Sequence, residues 1–140
     1  MTLLLISIRN AAHEDVDALV RLDEYAVVAN ERVDEIRAAV SSGNCWCAVV
    51  DAEIVGYRID SRAFFHRPFL EIVMVKRGAR RMGVALQLIS HLCHANGSPV
   101  FSSCNVSNVP AQRMLTSAGF RVCGYIDGLD EGDPEVVYRL

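Results

Sequence analysis

Lys76, Arg77, Arg80 and Arg81 crowd together just ahead of Gly83, and the residues after the glycine, Val84 and Ala85, open an apolar repeat. Cations followed by a glycine and the start of a helix make an anion site. The first turn of a helix leaves backbone N–H groups without intrahelical acceptors and carries the positive end of the helix dipole. Gly83 lacks a Cβ and Ala85 has only a methyl, so a phosphate can approach the backbone between Arg81 and Ala85, and a pyrophosphate fits best. A solvated strand-to-helix turn, or a basic patch for nucleic acid, is the competing reading of the same residues.

Other reactive side chains carry less. Cys45 and Cys47 share one face of a strand-like run, and His91, Cys93 and His94 lie close together on a helix, but no second ligand pair matches them. They read as core cysteines and surface histidines, with no metal. The serines sit in no G-x-S-x-G elbow.

The elements that must position the basic loop follow from periodicity. Phe69 to Val75 is apolar enough for a central strand, and Val84, Leu86, Leu88, Ile89 and Leu92 form the stripe of a helix running to about Asn96. Gly97 is a helix C-cap and Pro99 a stop. Upstream, Leu3 to Arg9 predicts a first strand, and Val16, Leu19, Val20 and Leu22 the inner face of a first helix. A shorter helix is predicted over 33–40. Cys45 to Val50 and Ile54 to Ser61 form a hairpin across Asp51-Ala52-Glu53, and 62–68 reads as the connection into the central strand. Downstream, a fifth strand spans Val100 to Cys104, Asn108 caps a helix with Pro110 in its first turn, and two last strands, Arg121 to Ile126 and Glu135 to Leu140, flank an acidic turn.

The 140 residues are 51% hydrophobic, which suits one domain spanning 1–140 with a single core. A formal net charge of −3 argues against general polyanion binding, so the basic loop is a local feature aimed at a small phosphorylated ligand. MTLLLISIRN has neither the basic flank nor the length of a signal peptide or membrane span. Five cysteines at scattered spacings read as reduced thiols of a cytoplasmic protein.

Arg80-Arg81-Met82-Gly83-Val84-Ala85 resembles the R/Q-x-x-G-x-G/A signature of the GNAT superfamily of acyl-CoA-dependent N-acetyltransferases, directly after a strand and opening a helix. Glu53-Ile54-Val55-Gly56-Tyr57 is similar to that family's hairpin pattern. Asn108-x-x-Ala111, with Gly119-Phe120 following, is similar to its second motif. The resemblance implies an α/β (α+β) GNAT fold, a mixed and twisted central sheet of six or seven strands flanked by about four helices, with parallel pairing confined to the fourth and fifth strands. It implies acetyl-CoA as cosubstrate, held by backbone groups near Val73, Met74 and Val75 where those two strands splay apart. Its pyrophosphate would rest on Arg80, Arg81, Met82, Gly83, Val84 and Ala85, with Asn108 lining the coenzyme side of the next helix.

Acetyl transfer to an amine is implied, and an alkylamine with a pKa of about 10.4 is almost fully protonated at pH 7, so a base is needed. Glu71 on the central strand is the candidate, against the plainer reading that it pairs with an arginine. The family's tyrosine acid is absent, because Leu115 stands four residues after Ala111. Ser117, Tyr125, Cys104 or solvent remain as sources of the proton, with Tyr125 the named side-chain candidate. The acidic turn from Asp127 to Asp133 is either a solvated turn or an attractor of cationic amines. The partners implied are acetyl-CoA and an amine acceptor, with neither nucleic acid nor membrane, and a homodimer is admissible. A small-molecule amine leads as acceptor, ahead of a protein lysine or N-terminus and of a weakly catalytic acyl-CoA-binding regulatory module.

Overall fold

The computed structural model describes residues 5–97 and 99–140. In chain order it contains β1 (Ser7–Asn10), a 3-10 turn (His13–Asp15), α1 (Val16–Leu22), α2 (Asn30–Ser41), β2 (Cys45–Val50), β3 (Glu53–Phe64) and β4 (Arg67–Val75). A second 3-10 turn (Arg77–Ala79) leads to α3 (Val84–Asn96), β5 (Phe101–Asn105), α4 (Val109–Ser117), β6 (Arg121–Ile126) and β7 (Glu135–Arg139). The strands form one seven-stranded sheet in the order β1-β2-β3-β4-β5-β7-β6. Parallel pairing joins β4 to β5 through Phe69↔Phe101 and Leu70↔Ser102, whereas β1 with β2, β2 with β3, β5 with β7 and β6 with β7 run antiparallel. The mixed α/β sheet expected from sequence is therefore the observed one.

Two compact units divide the chain, one drawn from residues up to Asp60 and from Ile72–Leu92, the other from Ser61–Glu71 and Cys93–Leu140. In the first unit, strand alternation sends side chains to two separate clusters. Cys45, Cys47, Tyr57 and Ile59, with Ile72 and Met74, meet Val16, Leu19 and Leu22 of α1 and Ile36 and Val40 of α2. Ala48 and Val55, with Val73 and Val75, meet Val84 and Leu88 of α3. Burying a side chain such as Leu88 stabilises the unit by about 1.5–3 kcal/mol. In the second unit Leu70, Val100, Leu115, Phe120, Val136 and Tyr138 are buried, and Ser102 Oγ donates to the Leu70 carbonyl at 2.9 Å.

Four expectations need correction. The second helix, expected over 33–40 as the shorter one, is the longer, Asn30–Ser41 against Val16–Leu22 for the first. The segment 62–68 is not a connecting loop, because β3 continues to Phe64 and β4 begins at Arg67. Phe65 and His66 make the two-residue turn with φ of 52° and 61°, the left-handed values of a tight hairpin, without the Gly or Asn that announces such a turn. Leu86, placed in the inner stripe of α3, is 47% exposed, while Val84, Leu88, Ile89 and Leu92 are buried. The first strand is Ser7–Asn10, and the part of the prediction at Leu3 and Leu4 lies outside the described residues.

Candidate functional site

The basic loop is built where β4 stops. Lys76 N–H still bonds back to β3, donating to the Val55 carbonyl at 2.8 Å. Val55 is the extra residue of a bulge, since Ala48 faces Gly56 while Val49 faces Ile54. The chain then turns through Arg77–Ala79, passes Arg81 at φ 67° and Gly83 at φ 81°, and enters α3 with the Gly83 carbonyl accepting from Gln87 N–H at 3.0 Å. A Cβ placed on Gly83 would have nothing within 4 Å, so the glycine answers a left-handed backbone and leaves open space over the first turn of α3. Gly56 is a glycine for the opposite reason. A Cβ there would stand 2.9 Å from Val84 Cγ1 and 3.0 Å from the Met74 carbonyl oxygen. The hairpin glycine thus lets β3, β4 and the start of α3 close together.

The cations of this loop are largely matched by carboxylates in the first unit. Lys76 is hydrogen-bonded to Glu53. Arg77 Nε lies 3.2 Å and Arg80 Nη2 3.8 Å from Glu24 Oε1. Arg80 Nε also donates to the Val75 carbonyl at 3.3 Å, folding the loop back on the end of β4. Arg81 and Met82 are exposed, Ala85 is half-buried, and Val73, Met74 and Val75 are half-buried. Glu24, which no spacing in the sequence singles out, is the residue that sequence reasoning missed.

Glu24 stands on a turn fixed by its neighbour. Asp23 is fully buried, with Oδ1 accepting from Tyr25 N–H at 2.9 Å and Ala26 N–H at 3.2 Å, and Oδ2 accepting from Arg32 Nη1 at 2.9 Å and from the Tyr57 hydroxyl. Arg32 lies over the Tyr25 ring, 4.8 Å from its centroid. Burial, and after it the hydrogen bond to Asp23, pushes the Tyr57 phenol far above its ordinary range. Tyr57 both packs in the core and supplies the hydroxyl that anchors the α1–α2 turn.

In the second unit Glu71 is exposed on β4, and its Oε1 accepts from Ser61 Oγ at 2.7 Å. Its hydrogen-bonding neighbour is thus a serine rather than the arginine of the plainer reading. Tyr125 is 65% exposed on β6, the last strand in the sheet order. Asn108 caps α4 as anticipated, its Oδ1 accepting from Ala111 N–H at 3.2 Å. Cys104 is buried, hydrogen-bonded to Tyr138, and its thiol is pushed up by burial and then by Glu135. In the acidic turn, Asp130 Oδ2 accepts from Asn105 Nδ2 at 2.8 Å, and Asp133 accepts from Ser107 N–H at 3.0 Å and Ser107 Oγ at 2.5 Å. These carboxylates pin the β6–β7 connection to the end of β5.

The side chains weighed as metal ligands have other work. Cys45 and Cys47 are fully buried, and burial pushes their thiols up to about 12 and about 11. His91 packs against Trp46 at 4.8 Å between ring centroids and lies 3.0 Å from Arg58 Nη1 through Nδ1. Among the described residues no group of three His, Cys, Asp or Glu is placed to hold a metal ion, and no helix is long and apolar enough to cross a membrane.

Residues 11–120 match the family model of the acetyltransferase (GNAT) family. An acetyltransferase of the GNAT family from Bacillus cereus is 29% identical, covers 97% of this chain and 96% of its own, and superposes with a TM-score of 0.86. An N-acetyltransferase from Staphylococcus aureus is 17% identical over 97% of this chain and 98% of its own, with a TM-score of 0.73. The yncA protein of Salmonella typhimurium, whose structure holds its cofactor acetyl-CoA, is 19% identical over 96% of this chain and 92% of its own, with a TM-score of 0.69. No curated protein matches the chain.

Proposed function

The chain belongs to the GNAT family of acetyltransferases, and from that premise we propose that it transfers an acetyl group from acetyl-CoA to the primary amine of a small molecule. The match over residues 11–120 supports reading 1–140 as one acetyltransferase domain. The acetyl-CoA held by the Salmonella protein supports the choice of donor.

The observation that carries the proposal is the junction from Val75 to Ala85. Gly83 has open space where a Cβ would lie, the first turn of α3 begins beside it, and Arg77, Arg80 and Arg81 supply positive charge. Backbone N–H groups at a helix start, with arginines before them, suit a pyrophosphate. Acetyl-CoA, once bound, supplies an activated thioester. Val73, Met74 and Val75 offer backbone groups to the pantetheine arm, and Asn108 is assigned to the same ligand by its motif alone.

This chain's own contribution to the transfer is to position and to manage a proton. Glu71 Oε2 is assigned to accept the proton of the incoming ammonium, directly or through water, while Oε1 stays on Ser61 Oγ and fixes the carboxylate plane. Solvent is assigned to protonate the departing thiolate. Leu115 has no proton to give, and Cys104 is buried and held on Tyr138. Tyr125 is kept as the weaker side-chain alternative. A thiol-release assay with acetyl-CoA against polyamines, aminoglycosides, free amino acids and peptides tests this. Turnover with a small amine supports the proposal, and turnover confined to peptides overturns the acceptor class.

A further inference from the structure

The carboxylate that meets the loop arginines comes from a turn with little freedom. Asp23, beside it, is fully buried and accepts from two backbone N–H groups of the turn, from Arg32 on α2 and from Tyr57 on β3. Val27 N–H adds a bond to the Asp23 carbonyl at 3.4 Å. Glu24 projects from this anchored turn, and one oxygen, Oε1, faces Arg77 at 3.2 Å and Arg80 at 3.8 Å. One anionic oxygen between two guanidinium groups, ahead of the loop glycine, is what a phosphate oxygen would offer at that place.

We infer that Glu24 is an internal stand-in for the coenzyme's phosphates, neutralising Arg77 and Arg80 until a phosphate displaces it. The inference rests on the acetyl-CoA reading of the loop. The exchange is easy in energetic terms, because Arg77 is 83% and Glu24 53% exposed, and exposed ion pairs are weak and open readily. The pyrophosphate carries two negative charges to the carboxylate's one and also reaches the backbone N–H groups of the α3 start, so it wins the competition. Glu24 thereby sets the affinity of the loop for phosphorylated donors without contributing to acetyl transfer itself.

Calorimetric dissociation constants for acetyl-CoA with the full chain, in the wild type, Glu24→Gln, Arg77→Gln and the double variant, test this. Acetyl-pantetheine, the same thioester without nucleotide phosphates, serves as the control donor in steady-state assays. Glu24→Gln is expected to tighten acetyl-CoA binding by about two- to fivefold, to leave the KM for acetyl-pantetheine unchanged, and to lose most of its effect in the Arg77→Gln background. Unchanged or weakened binding by Glu24→Gln overturns the inference. So does a gain that persists undiminished with Arg77→Gln or that appears equally with acetyl-pantetheine, since either means the carboxylate does not act through the guanidinium groups. Wild-type protein that fails to bind acetyl-CoA at all overturns the donor reading and this inference with it, whereas wild-type binding beside an indifferent Glu24→Gln overturns this inference alone.

Discussion

Gly56 of β3 lies so close beneath Val84, the first residue of α3, that a Cβ on the glycine would stand 2.9 Å from Val84 Cγ1 and 3.0 Å from the Met74 carbonyl oxygen. Neither neighbour is the far end of a flexible chain, so neither can move aside cheaply. Gly56→Ala is expected to destabilise the protein by about 1–3 kcal/mol through overpacking, and to weaken acetyl-CoA binding by shifting the start of α3. Urea denaturation together with ligand titration checks both, and wild-type values in the two experiments would count against this account of the junction.

The Asp23 cluster predicts a larger effect inside the fold. Asp23→Ala leaves the Arg32 guanidinium without its buried partner and is expected to cost about 3–5 kcal/mol. Tyr57→Phe removes one hydrogen bond to a charged group and should cost about 1.5–3 kcal/mol. The same cluster fixes a pH dependence. The Tyr57 phenol is raised by burial first and then by Asp23, so the folded chain keeps its proton where the unfolded chain releases it. Stability from this group is intact below the unfolded value, about 10, and declines as pH rises above it. Denaturant midpoints between pH 8 and 11 should fall more steeply for the wild type than for Tyr57→Phe; parallel curves would refute the assignment.

Cysteine reactivity should divide the thiols by position. Cys45 and Cys47, buried and pushed up to about 12 and about 11, stay protonated and inert in the native state at pH 8, whereas Cys123 is exposed. Thiol titration with an aromatic disulfide is expected to label Cys123 rapidly and to reach Cys45 and Cys47 only after denaturation. Fast native labelling of either core cysteine would contradict their place under α1 and α2.

How much of this was legible in the sequence depends on the range of the forces involved. The strand, basic loop and helix from Phe69 to Asn96 were readable because each part has a local cause: apolar strand residues, Gly83 at φ 81°, and an apolar stripe from Val84 to Leu92. The Asn108 cap was readable for the same reason. The β3–β4 hairpin was not, because Phe65 and His66 adopt left-handed angles that their residue types do not announce. Leu86 was misplaced because burial of every second or third apolar residue cannot tell which flank of a stripe faces out. Glu24 was invisible, since its partners Arg77 and Arg80 meet it only through tertiary folding. The acidic turn was half legible. Its position between β6 and β7 followed from composition, but the binding of Asp130 to Asn105 and of Asp133 to Ser107 did not.

The assignment of Glu71 as base predicts a pH-dependent loss. Glu71→Gln should lower kcat about 10²–10⁴-fold, with the deficit growing as pH falls because unassisted neutral amine becomes scarcer. Ser61→Ala should have a smaller effect, since it frees Oε1 without removing the carboxylate. Rate profiles for Glu71→Gln that run parallel to the wild type would end the assignment.

The central claim is that the loop from Arg80 to Ala85 receives the phosphates of acetyl-CoA, and calorimetry on Gly83→Asp measures it most directly. A Cβ at Gly83 would meet nothing within 4 Å, so the variant is expected to keep its fold at the backbone cost of a left-handed aspartate while placing a carboxylate where the phosphates would lie. The account predicts clear heat and a raised melting temperature with acetyl-CoA for the wild type, and neither for a Gly83→Asp protein whose circular dichroism is unchanged. Folded wild-type protein without heat or thermal shift, or a Gly83→Asp variant that binds as the wild type does, would contradict it.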